Sequence, residues 1–230
     1  EDLTSVAHAT MSISLWYLGQ YDSAQRASEV SIVRARKLNH RYSLLQTLSI
    51  ASELQRLCGD PDAVTRLTTE GLALAQDMQA PLWSEILTGS EAWANAARGD
   101  VSAVAELALG VHKVSTIARG LVPFAITRWV EACDLVGDVQ TGMQVAARGL
   151  GAATDSKDVH YLSEFQRYKG KFLFAQGQPA SVVLPWLRRA VTTAQACGSP
   201  PLMLRAVLSL IRYSADGGTP DALALLENAL

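Results

Sequence analysis

Gly59-Asp60-Pro61-Asp62 has the chemistry of a turn between two helices. Glycine takes the left-handed conformation that closes one helix, and an aspartate beside it caps the next. Five similar clusters follow or precede it: Gly19-Gln20-Tyr21-Asp22, Gly99-Asp100-Val101-Ser102, Gly137-Asp138-Val139-Gln140, Gly177-Gln178-Pro179-Ala180 and Gly217-Gly218-Thr219-Pro220. Successive leading glycines are 40, 40, 38, 40 and 40 residues apart. That spacing is the signature of an array built from one helix–turn–helix unit.

A second set of breaks lies midway, at Leu38-Asn39-His40, Ala80-Pro81, Gly120-Leu121-Val122-Pro123, Asp155-Ser156-Lys157-Asp158 and Gly198-Ser199-Pro200-Pro201. All prolines except Pro185 sit at a break, where a missing N–H costs little because first-turn donors have no helical partner. Pro185 falls about one turn into its helix, which predicts either a later start or a kink there. Between breaks the apolar period is helical, as in Val64, Leu67, Gly71, Leu74, Ala75 and Met78 or in Val183, Leu187, Ala190, Ala194 and Cys197.

The fold class expected is therefore all-α: a right-handed superhelical solenoid of six antiparallel helix hairpins with a period near 40 and no strand, forming a single domain over residues 1–230. First helices are expected at 2–18, 41–58, 82–98, 122–136, 158–176 and 200–215. Second helices are expected at 21–38, 61–79, 101–118, 139–153, 181–197 and from 219 onward. Leu230 arrives about halfway through the length expected of the last helix, so both ends are expected to carry apolar stacking surface, with self-association through an end or a longer array as the consequence.

Gly19-Gln20-Tyr21-Asp22-Ser23-Ala24 resembles the turn of a tetratricopeptide repeat, with a hydrophobic residue two positions and a small residue five positions after the glycine. The longer period resembles the helical-repeat region of large bacterial regulators that carry a signalling ATPase beside an adenylate cyclase or DNA-binding domain. Leu15-Trp16-Tyr17-Leu18-Gly19, Ala35-Arg36-Lys37-Leu38-Asn39-His40 and the run from Gln166 to Gly177 carry that likeness. It implies a sensing or protein-docking arm that works with other domains of the same chain.

Composition narrows the classes further. Forty-nine per cent hydrophobic residues exclude disorder, and 20 Lys+Arg against 22 Asp+Glu give a net charge of -2, which removes the general electrostatic case for a nucleic-acid or anionic-membrane binder. No apolar run reaches the roughly 18 residues of a membrane helix, and neither an initiator Met nor a basic-then-apolar leader opens the sequence. Cys58, Cys133 and Cys197 are far apart, which favours a reducing, cytoplasmic setting and a packing role for each.

Catalytic patterns are missing: no phosphate loop, dinucleotide fingerprint, zincin helix or nucleophile elbow. Gly170-Lys171 lies inside a predicted helix and lacks the earlier glycine of a phosphate loop. His8, His40, His112 and His160 are scattered and read as surface or capping residues, so neither metal nor cofactor is expected. Arg34, Arg36, Lys37 and Arg41 straddle a helix end, where cations complement the dipole. Trp16, Trp83, Trp93, Trp129 and Trp186 read mostly as packing between hairpins.

A binding face follows from helix geometry. Side chains thirteen, ten, six and three residues before each turn glycine share one side of a first helix. By resemblance to tetratricopeptide repeats that side lines a concave groove. It collects Gln46, Ser49, Glu53 and Arg56, then Trp93, then Thr127, Glu131 and Asp134, then Glu164, Arg167 and Lys171. These are expected to be solvated, with an acidic stretch at Glu131 and Asp134 beside a basic one at Arg167 and Lys171. The same register in the first and last hairpins is apolar: Val6, Ala9, Ile13 and Trp16, then Leu204, Val207 and Ile211. The expected function is a non-catalytic scaffold holding a protein or peptide, the alternative being a small-molecule inducer sensor.

Overall fold

The computed structural model describes residues 2–214, and among these every regular element is helical. The order is α1 (Leu3–Tyr17), α2 (Tyr21–Lys37), α3 (Arg41–Cys58), α4 (Pro61–Asp77), α5 (Pro81–Ala97), α6 (Ala103–Ile117), a 3-10 turn (Arg119–Leu121), α7 (Val122–Val136), α8 (Val139–Ser156), α9 (Val159–Ala175), α10 (Ala180–Ala196) and α11 (Pro200–Tyr213). The turn at Gly217 and the helix expected from 219 lie outside the described residues.

Local chemistry sets the ends. Gly19, Gly59, Gly99, Gly137 and Gly177 all have φ between 74° and 92°, the region closed to most side chains. At Gly59 the glycine N–H donates to the Arg56 carbonyl (2.9 Å) and the next N–H to the Gln55 carbonyl (3.0 Å), closing α3 in a Schellman turn. Asp60 then caps α4 by accepting from the Ala63 N–H at 2.8 Å, with Pro61 first in the helix. Asp2, Asp138 and Asp158 cap α1, α8 and α9 in the same way, and His40 Nδ1 caps α3.

Three boundaries depart from the sequence expectation. Asp100 Oδ1 accepts from both the backbone N–H (2.9 Å) and hydroxyl (2.7 Å) of Ser102, and this local turn delays α6 to Ala103. α8 runs on to Ser156 because Lys157, at φ 58°, supplies the left-handed stop. α10 begins at Ala180, so Pro185 stands inside it and a later start is excluded. Its ring leaves the Ser181 carbonyl without a helical donor.

The chain divides into two compact units, Glu1–Leu121 and Val122–Leu230. In the first, α1, α3 and α5 lie side by side, with α2 packed on α1 and α3, α4 on α3 and α5, and α6 on α5. In the second, α7, α9 and α11 form the same kind of row, with α8 packed on α7 and α9 and α10 on α9 and α11. The second helices approach through small residues. A Cβ added to Gly71 would stand 2.8 Å from Leu87, one on Gly149 would stand 2.4 Å from the Phe165 ring, and one on Gly142 would stand 2.4 Å from the Phe172 ring. Counted from turn glycines, Gly71 and Gly149 are at +12 and their partners at −12, while Gly142 and Phe172 are at +5 and −5. One register thus recurs at the α4–α5 contact of the first unit and the α8–α9 contact of the second.

Candidate functional site

In the first unit α3 carries Gln46, Ser49, Glu53 and Arg56 on one side, all buried. Glu53 and Arg56 are one helical turn apart, and the guanidinium grips the carboxylate with two bonds, Nε–H to Oε2 at 3.0 Å and Nη2–H to Oε1 at 2.8 Å. Ser49 returns its hydroxyl proton to the Leu45 carbonyl at 2.8 Å. Gln46 Oε1 and, on α5, Trp93 Nε1 are buried with no hydrogen-bond partner among the described residues. One is an acceptor and the other a donor.

In the second unit the charges form a network across three first helices. Arg167 Nε–H and Nη2–H donate to the two Glu164 oxygens at 2.7 and 2.8 Å. Arg205 of α11 reaches Glu164 Oε2 at 3.4 Å, and Lys171 Nζ reaches Asp134 Oδ2 of α7 at 2.5 Å. The Arg167 guanidinium also lies 4.1 Å from the Tyr168 ring centroid. Thr127 is buried and donates its hydroxyl to the Phe124 carbonyl at 2.7 Å.

Electrostatics follow this packing. Burial opposes the Arg167 charge, but Glu164 and then Tyr168 together outweigh it and hold the guanidinium well above its ordinary range. Burial, with the Glu131 carboxylate next, raises the Tyr168 phenol. Burial and the neighbouring Arg167 charge lower Lys171. Burial pushes the Cys133 thiol up to about 12.

The site therefore differs from a solvated groove. Eight of the eleven predicted residues are buried, and only Glu131, Asp134 and Lys171 are half-buried. The expected acidic and basic stretches are not separate patches, because Lys171 pairs with Asp134. The reason is position: α3 and α9 each have first helices on both sides, and carboxylate–guanidinium pairing one turn apart lets both charges leave water together. Arg205, Tyr168 and Ser52, whose hydroxyl meets that of Ser90 at 3.1 Å, escaped the sequence reading. The repeat spacing held the signal for the first of these, since Glu164 and Arg205 are 41 residues apart.

Other motifs are absorbed by structure. Arg34 pairs with Asp2, Arg36 with Glu70 and Arg41 with Asp77, so most of the basic cluster is neutralised by acids on other helices. Gly170, beside Lys171, is a packing glycine: a Cβ there would stand 2.5 Å from Leu187. Trp16 and Trp93 are core, while Trp186 is half-buried beside the cations of Lys169 and Arg189. An open groove of about 320 Å³ lies on the α2 and α4 side, lined by Gln25, Ser28, Arg36, Gln55, Arg66 and Glu70 among others. No helix among the described residues is long and apolar enough to cross a membrane. Neither a family model nor a curated protein matches the sequence, so the resemblance to tetratricopeptide regulators rests on the residues quoted above.

Proposed function

We propose that this chain is a non-catalytic binding scaffold, the helical-repeat arm of a bacterial cytoplasmic regulator, whose hairpins form a right-handed superhelix and hold a protein or peptide on the first-helix side. One observation carries the reading: the register chosen for that side contains Gln46 and Trp93, whose buried carbonyl oxygen and indole N–H have no partner among the described residues. Such groups normally find partners, and leaving one unpaired costs roughly 1–3 kcal/mol. An extended peptide backbone offers the N–H that the amide oxygen lacks, while the Trp93 indole stays in the core with Val64 and Ala94.

This reading sets stability against binding. Gln46→Met keeps the side-chain shape and removes the unsatisfied amide, so the free chain should gain about 1 kcal/mol in denaturant unfolding. Capture of a protein partner from the source cytoplasm should drop several-fold. A variant that is stabilised and still binds fully would remove Gln46 from the site. Nucleotide hydrolysis by the purified chain would contradict a non-catalytic role, and a co-purified low-mass ligand in place of a protein would replace the scaffold with a sensor.

A further inference from the structure

The groove on the second-helix side of the first unit is bounded at both ends by side-chain contacts. α2 forms one wall and α4 the other, and Ala51 and Gln55 of α3, on which both walls pack, supply the floor. At one end Arg36 of α2 pairs with Glu70 of α4 at 2.6 Å. At the other the Gln55 amide donates to the Gln25 side-chain oxygen of α2 at 2.8 Å. Between these ends Glu29 on α2 and Arg66 on α4 line opposite walls. Both are exposed, and neither has a hydrogen-bond or ion-pair partner among the described residues. The space of about 320 Å³ is bordered as well by the apolar Ile32, Ala63 and Leu67.

The repeat itself does not ask for these groups. Counted from turn glycines, Gln25, Glu29 and Arg36 are at +6, +10 and +17, Arg66 and Glu70 at +7 and +11, and Gln55 at −4. In the second unit the same positions hold Met143, Ala147 and Thr154 on α8, Leu184 and Arg188 on α10, and Leu173 on α9. Neither the amide contact, nor the opposed charges, nor the end pair recurs there, so stacking does not require them. Arg36 and Glu70 satisfy each other, which leaves one carboxylate and one guanidinium on opposite walls. A simple anion or cation entering the groove meets a like charge, whereas a molecule that carries both charges satisfies both walls. The apolar border receives the rest of that molecule. We propose that the groove binds an amino acid with a large apolar side chain, its ammonium on Glu29 and its carboxylate on Arg66. This site is separate from the peptide site on the first-helix side and does not rest on that reading.

Isothermal titration of the full chain with L-phenylalanine tests this and should show saturable, one-to-one binding. Phenylpropionate lacks the ammonium and phenylethylamine lacks the carboxylate, so each should bind at least about tenfold more weakly, the loss of one charge-assisted hydrogen bond. Glu29→Gln and Arg66→Met should each weaken phenylalanine binding to a similar degree. The unfolding midpoint of the unliganded chain should stay unchanged in both variants, since both side chains are exposed. Gln46→Met should leave the affinity for phenylalanine as it is, which separates this groove from the first-helix side. Absence of saturable phenylalanine binding overturns the proposal. Equal binding of phenylpropionate overturns it too, and makes the groove an anion site, as does affinity that survives both substitutions.

Discussion

α3 and α9 occupy the same place in their units, each the middle helix of a row of three, and each buries a glutamate–arginine pair one turn apart. They differ in where the pair sits and in what joins it. Glu53 and Arg56 lie near the C-terminal end of α3, six and three residues before Gly59. Glu164 and Arg167 lie two turns earlier in their helix, and Arg205 reaches the carboxylate from α11, while Lys171, one turn on, binds Asp134 of α7. Notches differ as well, since Leu87 fills the one on α4 and the rings of Phe165 and Phe172 fill those on α8. The difference teaches that one repeat scaffold carries two kinds of polar side: hydroxyls and an unpaired amide around α3, a cross-helix charge network around α9.

The largest effects should come from breaking the pairs. Arg56→Met and Arg167→Met each strip a buried carboxylate of its bidentate partner, and each should cost about 3–5 kcal/mol in denaturant unfolding. Glu164→Leu combined with Arg167→Met should return to within about 1–2 kcal/mol of the parent, because a well-packed apolar pair replaces an ion pair at little net loss. A loss below about 1 kcal/mol for Arg167→Met alone would mean that the pair is solvated, as an exposed ion pair would be.

Next come the notches. Gly149→Ala should cost about 2–3 kcal/mol, since a rigid ring cannot yield to a new Cβ, whereas Gly71→Ala meets only the far end of Leu87 and should cost about 1 kcal/mol or less. Equal losses would mean that α8 shifts as readily as the leucine rotates. Adding Phe165→Leu to Gly149→Ala should recover part of the loss and sharpen the comparison.

The smallest effect concerns the capping carboxylates Asp2 and Asp158, one in each unit. A hydrogen bond from Arg34, then one from Ser5, holds Asp2 well below the usual carboxylate range. The neighbouring His160, acting first through its hydrogen bond and partly opposed by burial, lowers Asp158. A carboxylate whose folded-state pKa is depressed stabilises the fold above its unfolded value near about 4 and loses that contribution as pH falls toward the folded value. Asp2→Asn and Asp158→Asn should each flatten the acid decline in unfolding midpoint below about pH 4. An unchanged acid limb in either variant would remove that carboxylate from the linkage.

What was legible beforehand was local. Gly59-Asp60-Pro61 named a turn because left-handed φ, capping and a tolerated missing N–H all act within a few residues, and the same reasoning gave the helix order of both units. The Asp100–Ser102 turn was equally local, yet it competes with helix initiation and moved the start of α6. His40 reads from sequence as a surface or capping residue and Gly170 as a helix residue, and the structure makes the first the cap of α3 and the second a packing glycine against Leu187.

Among the described residues, sequence by itself determined the repeat, its turns, the order of its helices and which residues share a side of each first helix. Tertiary structure alone decided that Glu53, Arg56, Glu164 and Arg167 are buried, that Lys171 belongs to Asp134, and that the cations at 34, 36 and 41 are neutralised. The reason is range: helix ends are set by contacts over one turn, whereas burial and charge pairing depend on neighbours about one repeat away, 37 residues for Lys171 and 41 for Arg205.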